Sequence, residues 1–414
     1  MTSPVRAAST GNKNAGPRVG LFGLLGSGNS GNQASAESVL AYLRRVYPDA
    51  EVDAMSSGCQ WVRDNYGIPA IPLFWQEKYG QRDSRAARLL LKIGGKLADP
   101  LRIFRWVGGH DVVIVPGMGV FEATLPLHAY GVPLLIFVLS AAGRLRRVRV
   151  AFVSVGGNVV RQRATRWLFL EAARLAGYRS FRDEYSKTAM NQQGLDTSRD
   201  FVYPDLAFAS QTPPYDPGDE RVVAVGVMDY HGGNDDRVRA AELHAAYLEE
   251  MTRFTAWLIG NDYRIRFFGG DDTCDYTAAD EIITRLGQRL SVDLVADSTT
   301  IVRFGRYAEM LEEMNRAGTV VATRFHNVVG GLLLRKPTIA IGYSRKFTSL
   351  MEDTGLAEFV QPAREVSADW LIARFTEAQD RRAEISALVA THAAARAQAV
   401  EAQFAVLSTL IGVY

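Results

Sequence analysis

The stretch from residue 319 to residue 346 constrains the fold most, because it has the pattern of a buried strand, a helix and a second strand. Residues 319–322 are small or β-branched, as in the central strands of a parallel sheet. Residues 327–334 have helical spacing, and Pro337 ends the helix before strand character resumes at residues 339–341. This order is the repeating unit of open α/β sheets, so we expect such a sheet here.

Two ionisable side chains follow the first of these strands. Arg324 and His326 stand where the strand ends and the helix begins, together with Phe325 and Asn327. Ligands of open α/β sheets bind at the carboxyl ends of the strands, and a helix N-terminus favours an anion. The pattern predicts an anion-binding site with a proton donor, His326, beside it.

The Thr-Arg-Phe-His motif at residues 323–326, followed by Lys-Pro and by Gly-Tyr-Ser-Arg-Lys at residues 342–346, resembles the polysaccharide pyruvyltransferase family. The resemblance implies an α/β protein with two doubly wound, Rossmann-like domains that face a cleft in a glycosyltransferase-B-like fold. It also implies transfer of a pyruvyl group from phosphoenolpyruvate to a sugar, with no further cofactor. We expect Tyr343 and Lys346 of the second motif to contact the phosphate or the acceptor.

Size and charge narrow the range of functions. The chain has 414 residues, enough for two domains, and its net charge of +2 gives no indication of nucleic-acid binding. Cys59 and Cys274 are its two cysteines, and neither they nor the six histidines have metal-binding spacing. The longest apolar run, residues 132–142, is shorter than the roughly 20 residues that cross a bilayer. We therefore expect a cytoplasmic protein without a bound metal.

A glycine-rich loop follows the first predicted strand, at residues 18–22. Gly26, Gly28 and Gly31 have the G-x-G-x-x-G spacing of dinucleotide-binding proteins, and Asp53 follows at about the distance of the ribose-binding acid in those proteins. An NAD-binding protein is therefore one alternative.

The amide side chains of the same loop favour another ligand. Asn29 and Asn32 suit contacts with sugar hydroxyls or phosphate, and Gly28 and Gly31 allow the backbone to approach a ligand closely. In the resembling family an acidic residue stands at the position of Asn32. A strand-to-helix turn without a ligand is the other interpretation.

Polar residues and glycines follow other predicted strands, at the edge of the sheet where ligands are expected. The Arg-Asp-x-x-Ser motif of Arg182 resembles one in the family, and its guanidinium can bind a carboxylate or phosphate, unless Asp183 or Glu184 pairs with it. His231 lies in a loop after a strand, where a plain surface position is the alternative, and Asp205 either positions a cleft loop or forms a turn. We assign substrate contact to Gly117, Gly119, Gly156, Gly157, Arg182 and His231.

Residues 56–110 interrupt the alternation of strands and helices with a basic amphipathic insertion. Seven Lys and Arg side chains stand between residues 82 and 105, against two acidic ones. Such a face can lie on an anionic membrane, and it would then bring the protein to a lipid-linked glycan at the inner face of that membrane. A solvated helix over its own core is the alternative.

A proline-rich linker divides the chain, and strand–helix alternation on both sides of it predicts two doubly wound sheets. Within the second domain, residues 292–295 are predicted as a strand. The predicted boundaries are a disordered tail at 1–17, an N-terminal domain at 18–210, the linker at 211–219, a C-terminal domain at 220–366 and a helical segment at 367–414.

The predicted activity follows from what ketal formation requires. Phosphoenolpyruvate carries a carboxylate and a phosphate, and Arg182 and Arg324 can supply the cations that bind them. The reaction also needs proton transfers near neutral pH, which suit the imidazole of His326. A nucleotide-sugar glycosyltransferase would share the two-domain architecture and is the main alternative. A non-catalytic recruitment protein would need the basic insertion but neither Arg324 nor His326.

Overall fold

The structure is a computed structural model that describes residues 16–79, 85–123, 129–270 and 274–412, with the side chains of residues 78, 85–93, 234 and 235 excepted. The predicted tail at residues 1–17 lies outside this part of the chain except for its last two residues. Part of the predicted basic insertion, residues 80–84, also lies outside it.

The first of two parallel sheets covers the N-terminal half of the described chain. Its strands are β1 (Arg18–Gly23), β2 (Glu51–Ser56), β3 (Ala70–Pro72), β4 (Val112–Pro116), β5 (Arg149–Val155), β6 (Tyr178–Phe181) and β7 (Phe201–Val202). They are hydrogen-bonded in the order β3-β2-β1-β4-β5-β6-β7, and every pair is parallel. The chain therefore starts in the middle of the sheet and winds outward in both directions.

The second sheet repeats this plan. Its strands are β8 (Asp219–Gly226), β9 (Arg264–Phe268), β10 (Thr299–Val302), β11 (Ala317–Ala322), β12 (Thr338–Gly342) and β13 (Val360–Pro362). They are parallel, in the order β10-β9-β8-β11-β12-β13. The prediction of two doubly wound parallel sheets is confirmed.

Helices cover both sheets. They are α1 (Ser30–Val46), α2 (Cys59–Tyr66), α3 (Arg85–Val107), α4 (Val132–Arg146), α5 (Arg163–Leu175), α6 (Glu184–Gln192), α7 (Ala240–Gly260), α8 (Asp275–Gly287), α9 (Val292–Ser298), α10 (Tyr307–Asn315), α11 (Phe325–Leu333), α12 (Arg345–Glu352), α13 (Ala368–Asp380) and α14 (Arg382–Ile411). Among the described helices, none combines the length and apolarity needed to span a bilayer.

The central strands are apolar along their whole length because helices cover both of their faces. β11 is buried at every position, and so is β4. The prediction of a strand at residues 292–295 is wrong. These residues open helix α9, whose first turn is capped by the side chain of Ser291, and the strand comes after it as β10.

The last two helices divide between the two domains. The ring of Phe375 on α13 packs against Phe254 of α7, in the C-terminal domain. α14 returns to the N-terminal domain, where Phe404 stacks on Tyr42 of α1 with ring centroids 4.5 Å apart. The Oγ of Ser408 lies 2.5 Å from the hydroxyl of the same tyrosine. The C-terminal segment thus ties the two sheets together.

The start of α1 also contacts the C-terminal domain. The backbone N–H of Ser30 donates to the carbonyl of Gly270 at 3.0 Å. Further along the helix, the carboxylate of Glu37 accepts from the backbone N–H groups of Tyr307 and Ala308, both at 3.3 Å. These bonds hold the carboxyl ends of the two sheets against each other, and the space left between them contains the candidate site.

Candidate functional site

A cavity of about 170 Å³ lies between the two domains, at the carboxyl ends of both sheets. The N-termini of α1, α11 and α12 border it, and the positive end of a helix dipole favours a bound anion. Its lining is Asn29, Ser30, Gly31, Asn32, Met118, Gly119, Glu122, Arg182, Gly270, Arg324, Phe325, His326, Tyr343 and Lys346.

His326, in the first turn of α11, lies against the opposite domain. Its ring packs so closely on Gly31 of α1 that a Cβ at that position would overlap the imidazole. Its Nε2 lies 3.6 Å from Oδ2 of Asp205 and makes no hydrogen bond to any described residue. The hydroxyl of Tyr307 donates to the backbone carbonyl of His326 at 2.9 Å. The imidazole is therefore held in place and faces both the cavity and a carboxylate.

Asp205 remains ionised although it is buried. Burial raises the pKa of its carboxyl, but His326 and Arg182 outweigh that effect and hold the pKa below its ordinary value. Its Oδ1 accepts from the backbone N–H of Ala207 at 3.0 Å, which fixes its orientation. Asp205 therefore caps the turn at residues 206–209 and also faces Arg182 and His326, so both interpretations of this aspartate apply.

Arg182 lines the cavity but is not an isolated cation. Its guanidinium forms an ion pair with Glu122 and lies 3.5 Å from Asp183 and 3.8 Å from Asp205. Burial lowers the pKa of this arginine, and the three carboxylates raise it above its ordinary value. Arg182 thus both pairs with Asp183 and faces the cavity. A buried guanidinium needs a counterion, which is why carboxylates surround it.

Arg324 is also paired. Its Nε and one terminal nitrogen donate to the two carboxylate oxygens of Asp275, at 2.7 and 2.6 Å. Asp275 is fully buried, and it also accepts from the backbone N–H groups of Gly270 and Asp229, at 2.8 and 3.1 Å. The sequence prediction of Arg324 as an anion-binding cation therefore omitted its counterion.

Lys346 forms the remaining cationic part of the wall. Its Nζ lies 5.0 Å from the ring centroid of Phe325 and 5.5 Å from that of Tyr343, so two aromatic faces stabilise its charge. It forms no ion pair with a residue of the described ranges. Glu122 responds to its charge, since burial raises the pKa of that glutamate but Arg182 and Lys346 lower it below the ordinary value.

A comparison with known protein families identifies the family of this chain. A family model described as polysaccharide pyruvyl transferase matches residues 29–345, which include every residue of the cavity lining except Lys346. The chain belongs to this family. No curated protein sequence matches it.

Solved structures show which fold this transferase has. UDP-GlcNAc 2-epimerase from Methanocaldococcus jannaschii is similar with a TM-score of 0.54 at 12% sequence identity, over 87% of this chain and 91% of that one. The Anabaena protein Alr3699/HepE, solved in complex with UDP and glucose, is similar with a TM-score of 0.56 at 12% identity, over 96% and 100%. These likenesses establish a glycosyltransferase-B-like fold for the chain and nothing about its ligand.

The glycine-rich loop and the start of α1 line the cavity with residues 29–32. The side chain of Asn29 caps α1 by accepting from the N–H groups of Gly31 and Asn32, at 3.0 and 3.3 Å. The amide of Asn32 donates to the carbonyl of Leu24 and the hydroxyl of Ser27, at 3.3 and 3.2 Å. Both predicted amides line the cavity, and both have a local partner.

Several other predicted site residues support the cavity from outside its lining. Gly156 packs against Glu122 and Arg182, where any Cβ would collide with both side chains. Asn327 is fully buried, and its amide donates to the carbonyl of Gly269 at 3.2 Å. A direct ligand contact stays a prediction for the residues outside the lining, which are Gly28, Gly117, Gly156, Gly157, His231 and Asn327.

The geometry does not match that of a dinucleotide site. Oδ1 of Asp53 accepts from the indole of Trp106 at 2.8 Å and lies 3.1 Å from Nε2 of His110. The carboxylate that would bind a ribose is therefore part of the packing between β2 and α3. His326 covers Gly31, at the helix start where a pyrophosphate would lie.

A second group of ionisable residues, which sequence spacing did not reveal, lies near His231. Oδ1 of Asp229 is 2.9 Å from Nε2 of His231 and 3.4 Å from Nδ1 of His244, so the three residues could hold a metal ion. However, the two imidazoles are stacked, with centroids 4.3 Å apart and planes 13° apart. Their nitrogen lone pairs lie in nearly parallel planes, so one ring would have to turn before both could bind one metal.

A larger cavity of about 430 Å³ lies away from the site, between the linker and α14. Tyr215, Lys336 and Arg382 are among its lining. Nζ of Lys336 donates to the carbonyls of Asp216 and Asn315, at 2.6 and 2.8 Å, and burial lowers its pKa to about 8. Because its donors bind the backbone, this lysine holds the linker in place.

Proposed function

We propose that this transferase moves a pyruvyl group from phosphoenolpyruvate to a sugar of a polysaccharide, oligosaccharide or glycolipid, forming a ketal and releasing phosphate. The observation that carries the proposal is the cavity at which the N-termini of α11 and α12, Lys346 and His326 meet. Its donors suit an anion, and His326 adds a group that can transfer protons.

The size of the cavity supports a small donor. A volume of about 170 Å³ is below the roughly 300–1,000 Å³ of pockets that enclose drug-sized ligands. Phosphoenolpyruvate is a three-carbon molecule with a carboxylate and a phosphate, whereas a nucleotide sugar is several times larger. Lys346 and the N–H groups at the starts of α11 and α12 would bind its anionic groups, and Arg182 and Arg324, each held by carboxylates, would orient them.

In the proposed reaction His326 gives a proton to the methylene carbon, which becomes the methyl group of the ketal. One sugar hydroxyl adds to the central carbon, and its proton passes to His326. The carbon–oxygen bond to phosphate then breaks, and the phosphate leaves with the electron pair of that bond and takes this proton from His326. A second hydroxyl bonds to the same carbon, and its proton restores the protonated imidazole. Asp205 positions the imidazole of His326 and balances its charge while it is protonated.

A nucleotide-sugar glycosyltransferase is the second candidate, because the Anabaena neighbour was solved with UDP and glucose. For the present chain the cavity volume weighs against it. The two candidates differ in what they bind: the first requires phosphoenolpyruvate, and the second requires a nucleoside diphosphate.

Phosphate release from phosphoenolpyruvate, measured against a panel of oligosaccharides and glycolipids, tests the proposal. We expect release that depends on an acceptor and falls at least about 100-fold in His326→Ala. The matched control is His392→Ala, which removes an imidazole from α14. Thermal stabilisation by UDP without stabilisation by phosphoenolpyruvate would support the glycosyltransferase instead. Full turnover by His326→Ala would remove the assignment of that residue.

The proposed donor also suits a cytoplasmic location, since phosphoenolpyruvate is a metabolite of the cytoplasm.

A further inference from the structure

One region of the N-terminal domain has an excess of positive charge that the chemistry of the cavity does not use. Residues 85–175 contain fourteen Lys and Arg and four Asp and Glu, a net charge of +10. Because the whole chain carries +2, the other residues together carry −8. The near-neutral total therefore conceals one strongly basic region and an acidic remainder.

The basic region corresponds to a layer of three helices. α3, α4 and α5 pack side by side. α3 leads from β3 to β4, α4 from β4 to β5 and α5 from β5 to β6, so all three connections run in the same direction across the sheet. Right-handed crossovers place all three on one face of the sheet, opposite α1. We name the outward side of this layer the basic helical face. Its exposed cations include Lys96, Arg105, Arg144, Arg146 and Arg147.

Large apolar side chains are exposed on the same face. Leu97, Leu145 and Tyr130 are exposed to 73%, 74% and 70%, and Leu101 and Trp167 are more than half exposed. A single exposed apolar residue needs no explanation, but several on one layer of helices mark an interaction surface.

The cations and the rings contact one another across the three helices. Nζ of Lys96 on α3 lies 4.8 Å from the ring centroid of Tyr130, which precedes α4. The guanidinium of Arg146 on α4 lies 4.2 Å from the ring centroid of Phe104 on α3. α4 and α5 are joined in turn by the contact between Phe137 and Trp167. The basic helical face is therefore one continuous surface.

The charge on this surface remains largely uncompensated. Arg105, Arg144 and Arg147 form no ion pair with any described residue. The acidic side chains of these helices form ion pairs with other arginines, since the buried Asp99 pairs with Arg102 and Glu171 pairs with Arg174. The cations are thus free to attract an anionic partner.

We propose that the basic helical face docks on the surface of an anionic lipid bilayer. Cations with interspersed Leu, Tyr and Trp suit the membrane interface, because the cations contact the headgroup phosphates while the apolar side chains enter the acyl boundary. A nucleic acid would neutralise the cations but would leave Leu97, Leu101 and Leu145 in water. The bilayer is therefore the partner that accounts for both kinds of side chain.

The basic helical face extends to the edge of the cavity. In the sequence, the half-exposed Val159 stands between Gly156, the glycine that packs against Arg182, and the start of α5. The helices run antiparallel to the strands, so α5 begins at the sheet edge where the cavity lies. Docking would keep the cavity beside the bilayer, where a lipid-linked glycan is presented. This last step rests on the proposed function, whereas the docking itself does not.

Co-sedimentation with lipid vesicles tests the proposal. At low salt the full chain should bind vesicles of equal parts phosphatidylcholine and phosphatidylglycerol, should not bind pure phosphatidylcholine, and should dissociate as the salt concentration rises. The variant Arg105→Glu with Arg144→Glu should bind at least about tenfold more weakly. Its control, Arg199→Glu with Arg237→Glu, alters the net charge equally at exposed positions outside the face and should bind like the unchanged protein.

A second pair of variants tests the apolar contribution at constant charge. Leu97→Ser with Leu101→Ser should weaken binding several-fold, and Val238→Ser with Val292→Ser, which removes two exposed valines of the other domain, should not. Far-UV circular dichroism and thermal unfolding verify the fold of each variant.

Three results would overturn the docking proposal: no binding to anionic vesicles at low salt, equal losses in a variant and its control, or binding to RNA without binding to vesicles. Phosphate release with a water-soluble acceptor should be unchanged in the Arg105→Glu, Arg144→Glu variant. Vesicle binding by a protein that releases no phosphate from phosphoenolpyruvate would support docking while refuting the proposed function.

Discussion

Replacing Gly31 with alanine should slow the reaction severely and leave the fold intact. Gly31 lies in the first turn of α1, and its φ is outside the left-handed region, so the backbone accepts alanine without strain. Alanine in a helix is even favoured over glycine by up to about 1 kcal/mol. The difficulty is the imidazole of His326, because a Cβ at residue 31 would lie 2.9 Å from its Nε2 and would overlap Cε1.

The size of the effect follows from this overlap. Ordinary contacts of a Cβ begin at about 3.4 Å, so Nε2 must withdraw by about half an ångström and Cε1 by more. A withdrawal of the whole ring by about 1.3 Å would relieve both. A misplacement of that size at a reacting group costs on the order of 100-fold in rate. Because Lys346 and the helix N-termini are unaffected, the change should appear in kcat and much less in KM for phosphoenolpyruvate.

Steady-state phosphate release, with thermal unfolding of the same samples, measures both parts of this prediction. Gly260→Ala is the matched control, since it makes the same substitution at the end of α7, where a Cβ meets nothing within 4 Å. We expect the control to keep its activity and both variants to keep their melting temperatures within a few degrees. A Gly31→Ala protein with unchanged kcat would show that the position of His326 against α1 does not matter for turnover.

Three further substitutions test other contacts. Lys346→Ala should raise KM for phosphoenolpyruvate about tenfold or more with a smaller change in kcat, since it removes a charged donor to the substrate. The pKa of Asp205 lies below its ordinary value of 3.8 in the folded protein, so its charge stabilises the fold above that pH, and the contribution is lost as the pH falls. In urea unfolding, Asp205→Asn should therefore be about 3 kcal/mol less stable than the unchanged protein at pH 7, and the difference should shrink below about pH 4. A difference that stays constant with pH would show that the charge of Asp205 does not stabilise the fold. Phe404→Ala should lower the free energy of unfolding by about 3–5 kcal/mol, because it empties the stack on Tyr42; the exposed control Thr409→Ala should change it little.

The fold could be predicted from the sequence where the signal is local. The strand, helix and strand of residues 317–342 lie where the apolar pattern and Pro337 predicted them, because each element is buried and sharply ended. The prediction was wrong at residues 292–295, where the β-branched Val292 and Val295 suggested a strand. The same residues also fit the first turn of a helix that is capped by Ser291. Four positions are too few to distinguish the two-residue repeat of a strand from the 3.6-residue repeat of a helix.

The site was predicted only in part, because its counterions come from distant segments. Arg324 and His326 were identified from a single motif, whereas Asp275 is 49 residues from Arg324 and Glu122 is 60 residues from Arg182. Parallel sheets bring strand ends together regardless of their separation in sequence. Spacing therefore indicated which side chains stand at the cleft, but not that buried carboxylates hold both arginines.

The path of the chain between the domains has a mechanical consequence. The polypeptide passes from one sheet to the other at residues 211–218, and it passes back at Arg381, between α13 and α14. The two passages are neighbours, since Tyr215 and Arg382 line the same cavity. Two neighbouring connections allow the domains to rotate about one axis and restrict sliding or twisting between them. A donor that enters by such a rotation requires the hydrogen bonds of Ser30 with Gly270 and of Glu37 with Tyr307 to break first.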